Sequence, residues 1–156
     1  MTYQQYRKKS QAEFNSLPIF FCFNNEQFKE EMEKRGLTEN DTDKIYRLGN
    51  NSGGFYLKSD AQIIRDFMEK EDELPKLMQD DEFAQSAFYY EMGNHEYHIN
   101  WEGDYDVCSC FGRAKYSDEK TYREYLLEMG YDEHMVNNFK IAQKKFYKDA
   151  DENGWY

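Results

Sequence analysis

The sequence predicts an α+β fold, a small and mostly antiparallel sheet flanked by about six helices. Three observations carry this reading. Stretches with apolar residues at helical spacing, each opened by a capping Asn, Ser or Asp, recur along the chain. Short aromatic runs bounded by Gly, Asn and Pro alternate with them. Phe, Tyr and Trp make up 18% of the residues, enough to build a core although mean hydropathy is −1.08. A chain of 156 residues has the size of one domain. Residues 1–156 are therefore read as a single domain, with a helical pair over 117–150 packed on it.

The elements follow in order. Residues 1–15 read as a helix anchored by Tyr3, Tyr6 and Phe14, ended by Pro18. Ile19 to Phe23 is a short aromatic run consistent with a central, buried strand. Asn24 or Asn25 caps a helix carrying Phe28 and Met32, closed at Gly36. Lys44 to Leu48 and Phe55 to Lys58 read as a hairpin across the polar connector Gly49 to Gly54. Ser59 or Asp60 caps a helix with Ile63, Ile64, Phe67 and Met68 on its buried side, and Pro75 interrupts it. Asp80-Asp81-Glu82 opens a helix with Phe83, Ala84, Ala87, Phe88 and Met92 on one face.

Beyond that helix, Glu96 to Trp101 and Tyr105 to Phe111 both alternate in polarity, with Glu102-Gly103-Asp104 between them. They read as a second hairpin whose register sets Trp101 against Tyr105. Ser117 caps a helix with Tyr122, Tyr125, Leu126 and Met129 at helical spacing. Asp132 caps a last helix with Met135, Phe139, Ala142 and Phe146 inside and Lys140, Lys144, Lys145 and Lys148 outside. Beyond it, Asp149 to Tyr156 reads as a fraying tail, unless Trp155 tucks back.

Charge is distributed unevenly. Net charge is −11, and Asp60 to Asp106 holds fourteen Asp/Glu against three Lys/Arg, so the remainder is neutral. Such a segment offers a basic partner an electrostatic surface, and it repels nucleic acid as a direct ligand. The N-terminus has no apolar leader-like run, and Leu17 to Phe23 is too short to span a bilayer. Three cysteines do not make a disulfide framework. The expected setting is the cytoplasm, with no membrane.

Two readings of the chemistry compete. Read as a metal site, His95, His98, Cys108 and Cys110 supply two His and two Cys, and the hairpin register sets His98 opposite Cys108. That donor set suits tetrahedral zinc, although its spacing matches no common zinc module. His95-Glu96-Tyr97-His98 is one residue short of His-Glu-x-x-His, and Phe55-Tyr56 stands where a phosphate-binding loop needs Lys then Ser or Thr. Cys22 lies in an aromatic run as a core residue. Read as an interaction surface, Asp66, Glu69, Asp72, Asp80, Asp81 and Glu82 form a phosphate-like array, and Tyr89 and Tyr90 supply anchors. The same acids also serve plain solvation, which leaves room for a regulatory domain with no mimicry.

Leu17-Pro18-Ile19-Phe20-Phe21, Asn25-Glu26-Gln27-Phe28, Gly54-Phe55-Tyr56 and Asp81-Glu82-Phe83 through Asn94-His95-Glu96-Tyr97 resemble a family of short acidic proteins of unknown function carried on bacterial plasmids, prophages and integrative elements. The resemblance covers residues 1–100 and brings no activity or site residue. It implies genomic company, since such elements carry small proteins that blunt host restriction or CRISPR systems. The sequence therefore predicts a non-enzymatic interaction module without a cofactor. Its expected partner is a basic, nucleic-acid-binding host protein, inhibited through the acidic face. A small zinc protein or metal-dependent enzyme at His95, His98, Cys108 and Cys110 is the alternative.

Overall fold

The computed structural model covers residues 1–156 and packs as two compact units, residues 10–71 and residues 1–9 with 72–156. Helix α1 (Tyr3–Asn15) supplies its first residues to the second of these and the rest to the first.

The 10–71 unit is an α+β assembly. Strands β1 (Phe20–Phe21), β2 (Ile45–Leu48) and β3 (Gly54–Leu57) form an antiparallel sheet in the order β1-β3-β2. Helix α2 (Asn25–Lys34) follows β1; the Asn24 side chain accepts the Gln27 N–H at 2.8 Å and so satisfies one of the helix's free donors. Phe20, Cys22, Met32 and Ile45 form the core, with Phe28, Leu37, Phe55 and Leu57 around them. Arg35 lays its guanidinium 3.9 Å from the centre of the Phe20 ring. The expected hairpin is present, with Ile45 opposite Leu57 and Leu48 opposite Gly54. Gly53 has φ +70°, and a Cβ there would lie 2.7 Å from the Phe23 ring, so the turn needs glycine.

Two expectations for this unit are corrected. The Ile19–Phe23 strand is an edge of two residues, not the centre; Phe20 and Cys22 face inward while Phe21 and Phe23 stay exposed. A period-2 element with one covered face buries only alternate residues. Helix α3 (Ala61–Glu69) buries Ile64 but leaves Ile63 and Met68 exposed, with Phe67 half-buried against Phe14. A nine-residue helix touching its unit along a narrow stripe cannot cover four apolar side chains.

The other unit is helical. It contains α4 (Leu74–Leu77), α5 (Asp81–Asn94), α6 (Gly103–Cys108), α7 (Tyr122–Glu128) and α8 (Glu133–Asn153), with the start of α1. Asp132 caps α8 through the Met135 N–H, as expected, and within the acidic opening of α5 it is Asp80 that caps, through the Phe83 N–H. Ala84 and Ala87 keep the α5 surface low, so that Phe88 reaches Phe139 (ring centres 5.0 Å apart) and Phe111 (4.9 Å). Tyr122 stacks on Phe139 at 4.3 Å. Phe88 and Phe139, both fully buried, contribute about 1.5–3 kcal/mol each.

The second predicted hairpin is absent. Residues 95–102 form turns, and Gly103–Cys108 is a helix running into a 3-10 turn at Ser109–Phe111. Tyr97 is buried, but Ile99 and Trp101 are 62% and 82% exposed, so the alternation does not mark a covered face. Gly103, Val107, Cys108 and Phe111 are the buried positions, at helical spacing. Val107 and Phe111 satisfy both a period of two and a step of four, and tertiary bonds decide between them. Asp104 accepts the Tyr97 hydroxyl and, at 2.9 Å, the Tyr122 N–H. The cap of α7 is likewise Thr121, whose N–H meets Glu124 Oε2 at 2.9 Å in a capping box, and not Ser117. No helix is long and apolar enough to cross a membrane.

Candidate functional site

The helical unit carries two adjoining features, a buried polar cluster and an open groove. The cluster grows from the inward face of α5. Glu91, within an apolar helix face, is 1% exposed, a position that costs several kcal/mol unless the charge is compensated. Helix α1 compensates it. Tyr3 donates its hydroxyl to Glu91 Oε1 at 2.6 Å and the Arg7 guanidinium donates to the same oxygen at 2.5 Å. Asn94 donates to Oε2 at 3.0 Å. Burial alone would push this carboxyl up; the hydrogen bonds from Tyr3, Asn94 and Arg7 prevail and hold it below the ordinary carboxylate range. The Tyr3 hydroxyl is pushed up, first by burial and then by Glu91.

Two further side chains reach Glu91. His95, one helical turn on, places Nε2 3.6 Å from Glu91 Oε2, and Cys110 places Sγ 3.5 Å from the same His95 nitrogen. The donor atoms of Glu91, His95 and Cys110 lie within 4.8 Å of one another. The Cys110 thiol is pushed up to about 12, mainly by burial and then by Glu91. It is thus held protonated, opposite to the environment that activates a nucleophilic cysteine. His95 presents one ring nitrogen to both the thiol and the carboxylate, so it cannot relay a proton between them through its two nitrogens.

The groove lies between α5 and α8, with a volume of about 1120 Å³. Tyr89, Tyr90, Phe146 and Trp155 line it, with Ile141 and Lys145 from α8 and Glu82 and Glu96 also on its wall. Tyr89 is fixed by donating to Asp149 at 2.6 Å while Lys145 lies 4.1 Å over its ring. Trp155 does tuck back, with its ring centre 5.5 Å from that of Phe146.

The predicted residues divide between these features and other roles. Of the zinc set, His95 and Cys110 meet, but His98 and Cys108 do not join them. His98 turns to Trp155, with Nε2 3.0 Å from the Trp155 carbonyl oxygen and a buried, unpartnered Nδ1. Cys108 is fully buried, its thiol directed to the Tyr122 carbonyl. The facing of His98 and Cys108 was a consequence of the hairpin register, and it disappears with the hairpin. Glu91 is the ligand-type residue that sequence reasoning passed over; its four-residue spacing to His95 on a helix was the available signal.

Of the acidic set, Glu82, Tyr89 and Tyr90 line the groove. Asp72 accepts from Tyr6 at 3.0 Å, Asp80 caps α5, and Asp81 binds His134 (2.6 Å) and Asn138 (3.0 Å). Asp66 and Glu69 stand exposed on α3, in the 10–71 unit.

The model of a family of unknown function (DUF7659) matches residues 2–112. That span holds Tyr3, Arg7, Glu91, Asn94, His95 and Cys110, and stops before α7 and α8. No curated protein and no solved structure matches the chain.

Proposed function

The chain belongs to the family of unknown function DUF7659, and from that premise we propose that it is a non-enzymatic binding module whose recognition surface is the α5–α8 groove. The observation that carries the reading is the groove itself, lined by Tyr89, Tyr90, Phe146 and Trp155 and by the exposed acids Glu82 and Glu96. Aromatic side chains in a concave setting supply most of the energy of protein recognition, and charge at the edge steers the encounter. A net charge of −11 favours a basic partner. In its finer form the proposal makes that partner a nucleic-acid-targeting host defence protein, inhibited in the manner of an anti-CRISPR or anti-restriction protein of a mobile element. The acidity and the resemblance noted above support that form. The internal bonds of Asp72, Asp80 and Asp81 shift the weight of recognition from a continuous acidic array toward the groove.

The test is capture of partners from a bacterial lysate by the wild-type chain and by Ile141→Lys and Glu82→Lys, at low and moderate salt. Both positions are exposed, so the variants fold. The proposal expects a basic protein retained by wild type, weakened at least about tenfold by Ile141→Lys, and released as salt rises. A partner held equally by both variants, or none at all, overturns it.

A further inference from the structure

We propose that Glu91, His95 and Cys110 form a zinc site, with Oε2, Nε2 and Sγ as ligands. Bonds of about 2.0–2.3 Å at tetrahedral angles set neighbouring zinc donors about 3.3–3.6 Å apart. The Glu91–His95 and His95–Cys110 donor separations, 3.6 and 3.5 Å, are such edges already. The three atoms come from two rigid places. Glu91 and His95 share one face at the end of α5, and Cys110 sits in the 3-10 turn after α6. The third separation, Glu91 to Cys110, is within 4.8 Å, so closing the three round an ion takes a shift of no more than about 1.5 Å along that edge.

The surroundings also suit a metal. Tyr3 and Arg7 occupy Oε1 and leave Oε2 to Asn94 and His95, so the carboxylate is oriented by outer partners while one oxygen faces the histidine and thiol. Hydrogen-bonded outer partners of this kind fix ligand geometry in metal sites. Cys110 now lies 3.3 Å from the Asp106 carbonyl oxygen and beside the Glu91 carboxylate. Zinc would displace the thiol proton to solvent and bind the thiolate, placing a cation where two acceptors now converge on one S–H. Nitrogen, sulfur and oxygen donors together favour zinc over the oxygen-seeking Mg²⁺ and Ca²⁺. With three protein ligands, the fourth position is left to water.

The site is independent of the groove proposal, and its test needs no partner. The full chain, purified without an affinity tag that binds metal, is stripped by chelator and titrated with Zn²⁺ alone. It is then titrated with Co²⁺, whose thiolate charge-transfer absorption reports a sulfur ligand. The expected result is one ion per chain, a cobalt–thiolate band that Zn²⁺ abolishes, and loss of that band in Cys110→Ser but not in Cys108→Ser or Cys22→Ser. His95→Gln weakens binding at least about tenfold, the loss associated with even outer-shell changes. If Cys110→Ser does not fold by circular dichroism, His95→Gln decides in the same way. No stoichiometric binding, or binding unchanged in a folded Cys110→Ser or His95→Gln chain, overturns the site.

Discussion

Tyr3 donates its hydroxyl to Glu91 at 2.6 Å across 88 residues of sequence, and that bond ties the start of α1 to the last turn of α5. Tyr3 is 4% exposed and Glu91 1%, so neither group has water as a substitute partner. Arg7, one turn further along α1, reaches the same carboxylate oxygen. The pairing explains how a carboxylate is tolerated among Phe88, Met92 and their neighbours.

Removing either end of that bond should destabilise the chain, by unequal amounts. Tyr3→Phe keeps the ring and loses one hydrogen bond to a charged group, about 1.5–3 kcal/mol. Glu91→Ala leaves the buried Tyr3 hydroxyl without its acceptor and also removes buried methylenes, about 2–5 kcal/mol in all, while the half-exposed Arg7 guanidinium turns to water. Urea unfolding of the two single variants and the double variant checks this. The double variant should lose less than the sum, because the residues share one interaction.

Stability should fall at both ends of the pH scale, for opposite reasons. The Glu91 carboxyl is held below its ordinary 4.5, so the unfolded chain binds the proton first as pH drops. The contribution of Glu91 is complete above 4.5 and is lost as pH falls through the lower folded value. Tyr3 and Tyr97 are raised above 10.0 by burial, so their contributions are complete below 10.0 and are lost as pH rises past it. Thermal melts across pH should show both limbs. Glu91→Gln should flatten the acid limb and, because the carboxylate also helps to raise Tyr3, soften the alkaline one while the Tyr97 part remains; an acid limb unchanged in that variant would count against the assignment.

Two glycines that look alike in sequence should respond differently to alanine. A Cβ on Gly103 would lie 2.7 Å from the ring of Tyr97, which is buried and held by Asp104 and Gln143. Gly103→Ala should therefore cost about 1–3 kcal/mol as an overpacked site. A Cβ on Gly112 would meet the thioether of Met129 at 2.8 Å, an unbranched side chain that can swing aside. Gly112→Ala should cost less, and parallel thermal melts of the two give the comparison directly.

The two tryptophans should report separate surroundings. Trp101 is 82% exposed and Trp155 42%, packed on Phe146 and His98. In Trp155→Phe the remaining Trp101 emission should be red-shifted and readily quenched by acrylamide. In Trp101→Phe the Trp155 emission should be bluer and less accessible. Because Trp155 lines the groove, its emission should also shift when an occupant binds there.

The helices were legible where their signals are local. Asn24, Asp80 and Asp132 each accept the backbone N–H three residues on, and Phe83 to Met92 and Met135 to Phe146 bury the stripes their spacing indicates. The β2–β3 hairpin was legible for the same reason, since its connector carries the glycines the turn requires. Residues 96–111 were not legible. Their apolar positions fit two periods, so local pattern leaves strand and helix close in free energy, and the bonds of Asp104 to Tyr97 and Tyr122 select the helix.

The sequence by itself determined the α+β composition, the capped ends of α2, α5 and α8, and the acidity of the 60–106 stretch, because each depends on neighbours within a turn or on composition alone. Only the tertiary structure decided which charges remain available and which side chains share a site. Arg7 and Tyr3 reach Glu91 from 84 and 88 residues away, and Cys110 reaches His95 from fifteen. Such meetings rest on how α1, α5 and the turn after α6 pack, and no local periodicity encodes that packing.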